Sequence, residues 1–322
     1  MIVRDEERLL ARCLDSFGAA FDELCIVDTG SRDGTLSIAA ARGARVQRIS
    51  ACNGPDGRIG DFSLARNAAL EMATGPWLLW MDADDVLLPG GADRLRAHAA
   101  GGDFDGLSVT IRWNAESWLQ MRLMRNDPRH RFVGCVHEYV PVVGRTAIDR
   151  AVVVQHLPDK RNKEGSLERN LRILSAEAKA DPRNARTLYY LANALRLAGR
   201  HEEAIAQYRR YLALGLDFHC ERYSAAHYIA LCLFGMKRWQ EAIDAAWGAL
   251  RIDPRYAETH CLIADCYGEL RQYAFSRQWY ASALACGAPP DDAVLFVDAS
   301  KYEAYPRLGL AVCDRKLAGE PP

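Results

Sequence analysis

The chain has 322 residues, of which 49% are hydrophobic and 26% are charged. This composition provides enough apolar material for two cores and excludes a disordered or collagen-like protein. The length predicts about two domains of roughly 150 residues each. The 41 basic and 42 acidic side chains give a net charge of −1, which does not favour a general nucleic-acid-binding protein.

The apolar runs of the sequence are short. The runs at 77–81 and 151–154 fall far below the roughly 18–20 residues needed to cross a bilayer, so no membrane insertion is expected. Asp5, Glu6 and Glu7 interrupt any N-terminal signal pattern, and we therefore expect a cytoplasmic protein. The ten cysteines contain no Cys-x-x-Cys pair, which favours buried free thiols.

Short apolar segments alternate with helical patterns over about the first 155 residues. The pattern predicts strands at 24–28, 45–49 and 77–81, helices at 34–42 and 63–73, and later strands near 105–113, 118–125 and 146–156. This alternation favours a mostly parallel sheet covered by helices.

From about residue 166 the pattern becomes helical and repeats itself. Ala204, Ala242 and Ser276 occupy equivalent positions, separated by 38 and 34 residues, and such small residues let paired helices pack closely. The pattern resembles the tetratricopeptide repeat over roughly 182–290, which implies a solenoid with a concave groove. Segments 166–179 and 291–317 are predicted to cap the array. The repeats would serve either as a ligand-binding groove or as a packing or dimerisation surface.

Three polar clusters stand out in the first half of the chain. Asp28 ends a predicted strand, at the place where open α/β sheets bind nucleotides. Asp82, Asp84 and Asp85 end a buried apolar strand, and three carboxylates within four residues are costly unless a positive group lies beside them. A divalent cation that carries a diphosphate fits this position. Arg66, near the start of a predicted helix, is suited to hold a phosphate.

In their order and spacing these clusters resemble family 2 glycosyltransferases of the GT-A fold. The resemblance covers about residues 1–160. It implies an α/β GT-A (nucleotide-diphospho-sugar transferase) domain at 1–160, followed by an all-α tetratricopeptide-repeat solenoid with capping helices at 161–322. Residues 1–7 resemble the end of the family's first strand and the acidic turn after it, although the strand is usually longer. Val3 and Glu6 would then belong to the nucleotide-sugar pocket.

The resemblance also implies roles for the clustered residues. Asp28 would contact the nucleotide base or ribose, and Arg66 would lie near the base or the diphosphate. Asp82 and Asp84 correspond to the Asp-x-Asp motif, in which Asp84 is the expected ligand of Mn²⁺ or Mg²⁺ and Asp82 would touch the sugar or ribose. The metal would act as a Lewis acid on the departing diphosphate.

Two later segments resemble a subgroup of the same family. Residues 132–138 resemble its Gly-x-x-His-Glu element, and Glu138 is the candidate base that an inverting transferase needs. His156 lies in the following His element and would complete the metal site, since imidazole suits Mn²⁺ better than Mg²⁺. Lys160 and Arg161 would hold the diphosphate. Structural roles for Glu138 and His156, and a solvated charge run at the domain junction for Lys160 and Arg161, remain open as alternatives.

The layout as a whole resembles that of the bacteriocin peptide S-glycosyltransferases. It implies an inverting, metal-dependent transferase with a nucleotide-sugar donor, for which a UDP-hexose is expected, and a peptide or protein acceptor. It also suggests a homodimer formed through the repeats. One alternative acceptor is a hydroxymethylated phage-type DNA base, because residues 107–172 carry 12 basic and 7 acidic side chains, a net charge of +5. A small-molecule or lipopolysaccharide-core acceptor stays open as well. A further alternative is an interaction protein with an inactive transferase domain, against which four intact residues count: Asp28, Arg66, Asp82 and Asp84.

Overall fold

The computed structural model describes residues 1–114, 116–159, 165–290 and 297–319. The chain divides into two compact units, 1–165 and 166–322. The first unit contains both strands and helices, and the described residues of the second are helical. The expected fold, an α/β domain followed by an all-helical repeat domain, is confirmed. The boundary predicted after residue 160 falls among residues outside the described ranges and stays a prediction.

The first unit begins with a small parallel sheet. Its strands follow the chain in the order β1 (Ile2–Val3), β2 (Cys25–Asp28) and β3 (Arg45–Arg48), with α1 (Leu10–Phe17) and α2 (Thr35–Ala41) between them. Every residue of β2 is buried, as its continuous apolar sequence predicts. Asp28 is the last residue of β2, so its carboxylate lies at the edge where the strands end.

A second sheet holds the remaining strands of this unit. Its order is β4 (Trp77–Leu79), β7 (Glu116–Arg125), β6 (Gly106–Trp113), β8 (Thr146–His156) and β5 (Asp85–Leu87), with α3 (Phe62–Met72) before β4 and α4 (Gly91–Gly101) after β5. Only the β6–β8 pairing is parallel, so the predicted mostly parallel sheet is wrong here. The connection between β6 and β7 has two residues, which permits a hairpin but no parallel crossover.

The pairing of β5 with β8 brings distant parts of the sequence together. Asp85 opens β5 and is paired in register with His156, the last residue of β8. The acidic segment 82–85 therefore lies beside the His element, although 71 residues separate Asp85 from His156.

Asp149 in β8 attaches helix α4 to the second sheet. Its carboxylate is 2.9 Å from Nε of Arg94 and 2.8 Å from Nε2 of His98, and it accepts a hydrogen bond from the backbone N–H of Ala151. Burial alone would raise the pKa of Asp149, but the hydrogen bonds from His98, Ala151 and Arg94 outweigh burial and lower the pKa to about 2.

We expect Asp149→Asn to destabilise the protein at neutral pH and to have a smaller effect in acid. The folded-state pKa lies below the ordinary value of 3.8, so the stabilisation is complete above that value and is lost as the pH falls towards the folded-state pKa. Urea unfolding of both proteins at a series of pH values measures the difference in free energy. A difference that stays constant between neutral pH and the folded-state pKa would contradict this assignment.

The second unit consists of consecutive helices. They are α5 (Ser166–Ala180), α6 (Ala185–Leu197), α7 (His201–Ala213), α8 (His219–Gly235), α9 (Trp239–Ile252), α10 (Ala257–Glu269), α11 (Tyr273–Ala285) and, after a gap in the described residues, α12 (Ala304–Leu317). Ala204 and Ala242 have no exposed surface and Ser276 is 1% exposed, as the predicted tight helix pairing requires. The predicted rear cap at 291–317 lies partly outside the described residues.

The ten cysteines are all free, and eight of them are buried. This confirms the interpretation of the cysteines as buried free thiols. Among the described residues, no helix combines the length and the hydrophobicity that a membrane span requires.

Candidate active site

The loop that follows β1 is hydrogen-bonded to the first residue of α2. The backbone N–H of Glu6 donates to Oγ1 of Thr35 at 2.7 Å, and Val3 pairs with Asp28 across the two strands. Three residues predicted from the sequence to bind the nucleotide sugar therefore lie at one edge of the first sheet: Val3, Glu6 and Asp28.

Asp28 is fully buried and strongly hydrogen-bonded. One carboxylate oxygen accepts from the backbone N–H of Ser31 at 2.9 Å, and the other accepts from Nε of Arg48 at 2.8 Å. Burial favours a higher pKa for Asp28, but the hydrogen bonds from Ser31 and Arg48 outweigh burial and hold the pKa below its ordinary value. Arg48 is not among the residues predicted from the sequence. It pairs with Asp28 in register at the end of the neighbouring strand.

Helix α3 positions Arg66 between two carboxylates. The helix begins after Asp61, whose side chain accepts a hydrogen bond from the backbone N–H of Leu64. Arg66 is 8% exposed; its Nε donates to Glu138 at 2.6 Å and its Nη2 donates to Asp82 at 2.8 Å. The structure therefore brings together three predicted site residues, and it places the Arg66 guanidinium against carboxylates of the same chain.

The next residue of α3, Asn67, holds the loop that carries Glu138. Its Nδ2 donates to the carbonyl of Phe132 at 2.9 Å, and its Oδ1 accepts from the backbone N–H of Phe132 at 2.7 Å. This pair of hydrogen bonds fixes residues 132–138 beside the helix. Sequence reasoning missed this role, because an asparagine after Arg66 gives no sign of a partner 65 residues away.

Two arginines neutralise two of the three acidic residues at 82–85. Asp85 is fully buried and forms an ion pair with Arg122 at 2.8 Å, and it also accepts a hydrogen bond from the backbone N–H of Asp82. Burial would raise the pKa of Asp82, but the charges of Arg66 and Arg122 lower it to about 2. Both guanidinium groups also pack on the ring of Trp80, 4.6 Å and 4.0 Å from its centre.

Asp84 is the acidic residue of this segment whose charge is least compensated. Burial raises its pKa, and the neighbouring Asp82 raises it further. His156 Nδ1 lies 3.6 Å from Oδ1 of Asp84 and 3.2 Å from Oδ1 of Asp85. The hydrogen bond to Asp85 is the main cause of a raised pKa of His156. This histidine, in other words, is surrounded by negative charge.

These side chains fit a divalent cation. Asp84, Asp85 and His156 each offer one ligand atom, and these atoms lie within 4.8 Å of one another. Two carboxylate oxygens and one imidazole nitrogen form a donor set suited to Mn²⁺. Asp84 and His156 were predicted as ligands from the sequence, and the structure adds Asp85. Lys160 and Arg161, predicted to hold the diphosphate, lie outside the described residues.

A known protein family matches the N-terminal part of the chain. Residues 1–157 match the model of glycosyl transferase family 2. The N-terminal domain is a family 2 glycosyltransferase domain. The family predicted for this part of the chain is thereby confirmed.

Two known protein sequences are also similar to most of this chain. A TPR repeat-containing protein of Synechococcus elongatus is 31% identical over 265 residues, which are 76% of this chain and 62% of that protein. The SPbeta prophage-derived glycosyltransferase SunS of Bacillus subtilis is 23% identical over 257 residues, 74% of this chain and 58% of that protein. This chain thus spans less than two thirds of the length of either relative.

Solved structures also match this chain. The structure of MamA from Desulfovibrio magneticus RS-1 is 17% identical, with a TM-score of 0.36, and the match covers 48% of this chain and 84% of that one.

Proposed function

We propose that this protein is an inverting, metal-dependent glycosyltransferase that moves a sugar from a UDP-hexose to a peptide or protein. The observation that carries the proposal is the Asp84–Asp85–His156 cluster beside the Arg66–Asp82–Glu138 group, within a family 2 domain. Carboxylates for a divalent cation and a separately held carboxylate for proton transfer are the two components that such a reaction needs.

Asp84, Asp85 and His156 would hold Mn²⁺ or Mg²⁺. Bound there, the metal would supply Lewis-acid stabilisation of the negative charge on the departing diphosphate. Asp85 keeps its ion pair with Arg122, which fixes one carboxylate of the set before the donor binds. Preorganised ligands of this kind lower the cost of binding the metal.

The edge of the first sheet would bind the nucleotide. Val3, Glu6 and Asp28 lie together there, and Asp28 is kept ionised by Ser31 and Arg48. An ionised carboxylate at this position accepts hydrogen bonds from the base or from ribose hydroxyls. Asp82 would contact the sugar or ribose, and Lys160 and Arg161 would contact the diphosphate.

Glu138 would remove the proton from the attacking group of the acceptor. Its side chain is 13% exposed, and Arg66 holds one of its oxygens at 2.6 Å, which fixes its orientation. A positioned carboxylate of this kind acts as general base when the acceptor's hydroxyl or thiol attacks the anomeric carbon. Cysteine, serine and threonine all fit as acceptor residues.

A polypeptide acceptor is supported by the resemblance to the bacteriocin peptide S-glycosyltransferases and by the similarity to SunS. The basic segment 107–172 gives little support to a DNA acceptor, because several of its arginines already have partners within the chain. These partners are Asp85 for Arg122, the carbonyls of Gly102 and Phe104 for Arg125, Asp127 for Arg129 and Asp103 for Arg145.

Hydrolysis of the donor tests the proposal without knowledge of the acceptor. The purified chain is incubated with Mn²⁺ and a panel of nucleotide sugars, and the release of free nucleotide is measured. Slow release from a UDP-hexose supports the proposal. Absence of release, together with no thermal shift from UDP and Mn²⁺, would favour an interaction protein with an inactive transferase domain.

We expect Glu138→Gln to lower turnover by about a hundredfold or more, the usual contribution of a general base, with little change in donor binding. Glutamine keeps an oxygen that accepts from Arg66, so the loop stays in place while the basic group is lost. Initial rates with the identified donor and acceptor, and calorimetric binding of UDP with Mn²⁺, separate the two quantities. The matched control is Glu71→Gln, an exposed position on α3. Equal loss of turnover and donor binding would indicate a structural role for Glu138.

A further inference from the structure

The repeat domain contains a cavity of about 520 Å³ that the proposed transfer reaction does not use. It lies between helix α8, helix α10 and the described residues after 297. Its volume falls within the range of roughly 300–1,000 Å³ that is typical of ligand sites. The inference drawn from it concerns the repeat domain alone and goes beyond the proposed transfer.

Aromatic rings form a large part of the cavity wall. Tyr223, Tyr228, Tyr256 and Tyr305 all line it. Tyr223 stacks on Tyr256 with ring centres 4.0 Å apart. The ring of Tyr305 contacts a cation, since Nζ of Lys301 lies 3.1 Å from its centre. Faces of this type attract positively charged groups that have been removed from water.

Two carboxylates of α10 face the same cavity, seven residues apart along the helix. Glu258 accepts hydrogen bonds from the hydroxyl of Tyr302 and the backbone N–H of Asp298. Asp265 accepts from the hydroxyls of Tyr280 and Tyr305. Burial raises the pKa of both carboxyl groups despite these donors. Apart from Lys301, whose charge acts on Asp265, the partners of these carboxylates among the described residues are neutral hydroxyl and amide donors.

The charge of the lining residues is negative. Among the described lining residues, Glu258, Asp265 and Asp298 carry three negative charges against one positive charge on Lys301, a balance of −2. Burial is the main cause that lowers the pKa of His227, another lining residue, to about 4, so this histidine is neutral at neutral pH. A cation that enters the cavity meets a favourable field.

One more positive group lies next to the cavity. The Arg196 guanidinium from α6 packs on the ring of Tyr228, 4.2 Å from its centre. The end of the cavity formed by Tyr228 therefore already has a positive charge beside it. Lys301 lies on the ring of Tyr305, whose hydroxyl donates to Asp265, so one positive charge already acts on that carboxylate. Glu258 and Asp265 together exceed it by one negative charge, and a further cation is favoured at the end formed by these carboxylates of α10.

We propose that this cavity binds an arginine side chain of a polypeptide, with its guanidinium at Glu258 and Asp265. A guanidinium is planar, pairs with carboxylates through two hydrogen bonds and stacks on aromatic faces, so it suits this wall better than an ammonium group. Leu231, Phe234 and Leu262 line another part of the cavity and suit the aliphatic stem of the side chain.

The first test uses the unaltered full chain and two peptides that differ in one group. The peptides Gly-Gly-Arg-Gly-Gly and Gly-Gly-citrulline-Gly-Gly are titrated with the protein and followed by ligand-observed NMR. The citrulline peptide has the same shape without the charge, and we expect its Kd to be about tenfold higher, because a charge-assisted hydrogen bond is replaced by a neutral one. Equal affinities, or tighter binding of Gly-Gly-Glu-Gly-Gly, would overturn the proposal. Free arginine that binds as tightly as the peptide would overturn the assignment to a polypeptide.

A variant locates the binding in the cavity. Asp265→Asn retains an acceptor for Tyr305 and is expected to raise the Kd of the arginine peptide by about tenfold. Glu269→Gln, an exposed position on the same helix, is the matched control and should leave the Kd unchanged. An arginine preference that survives in Asp265→Asn and in Glu258→Gln would show that the peptide binds elsewhere and would overturn the proposal.

Donor hydrolysis is measured in the same protein preparations. Its outcome distinguishes a failure of the cavity proposal from a failure of the proposed transferase function. Peptide binding with neither hydrolysis nor a thermal shift from UDP and Mn²⁺ supports the cavity proposal and argues against the transferase. Hydrolysis without an arginine preference overturns the cavity proposal and leaves the transferase standing.

Discussion

Replacing Asp84 by alanine is expected to lower metal-dependent sugar transfer by about a hundredfold to a thousandfold, the range found when one preorganised electrostatic group of an active site is removed. Asp84 is the carboxylate of the proposed metal set that has no arginine partner among the described residues, since Asp85 pairs with Arg122. Its loss removes the carboxylate most available to a cation. Donor hydrolysis measured against Mn²⁺ concentration checks this expectation.

Stability separates a metal ligand from a structural residue at this position. Asp84 lies beside two other carboxylates, so its removal relieves repulsion and should not lower the thermal unfolding midpoint. Mn²⁺ should raise the midpoint of the unaltered protein, because a ligand that binds only the folded state stabilises it. It should not raise the midpoint of Asp84→Ala. Asp93→Ala, an exposed position on α4, is the control. An Asp84→Ala protein that keeps its activity would remove Asp84 from the metal site.

Local sequence pattern was sufficient for much of the fold. The apolar run at 24–28 and the turn residues after it mark β2, which is buried throughout. In the repeats, the spacing of Ala204, Ala242 and Ser276 identifies the positions where helices touch, and all three are buried. Hydrophobic periodicity and side-chain size are visible in the local sequence. They can therefore be interpreted without knowledge of distant contacts.

The second sheet could not be predicted in the same way. Whether β6 pairs with β8 in parallel, or β5 with β8 in antiparallel, depends on how the strands are arranged in space. The alternation of strands and helices over the first 80 residues or so suggested a parallel arrangement for the whole unit. The parallel arrangement is found in the β1–β3 sheet, whereas the second sheet is mostly antiparallel.

In the candidate site, too, local sequence predicted some residues, and distant contacts determined others. The residues of the Asp-x-Asp motif and His156 were found because their local sequences resemble a known family. Arg48 and Arg122 were missed as partners, since each pairs with a carboxylate at least 20 residues away through strand register or a buried ion pair. An arginine in a strand has the same local sequence whether it faces solvent or a buried carboxylate.

Arg66→Met is expected to lower the free energy of unfolding by about 3–5 kcal/mol, the cost of removing one partner of a buried ion pair. The Arg66 side chain is 10% exposed and pairs with both Asp82 and Glu138, so its removal leaves two carboxylates without their common cation. Activity should fall as well, because Arg66 orients Glu138. Urea unfolding at neutral pH measures the stability, and Arg96→Met, a half-exposed arginine on α4 that pairs with the exposed Asp22, gives a comparison for an exposed pair.

A double-mutant cycle with Glu138→Gln determines whether the loss comes from the uncompensated carboxylates. If it does, Glu138→Gln should restore part of the stability in the Arg66→Met background, with a coupling of about 0.5–3 kcal/mol between the two positions. Additive losses would mean that Arg66 stabilises the domain through its ion pair with Asp82 or its packing on Trp80 rather than through its pair with Glu138. In that case the orientation of Glu138 would have to depend on the Asn67 hydrogen bonds to Phe132, and Asn67→Ala would become the variant that lowers turnover.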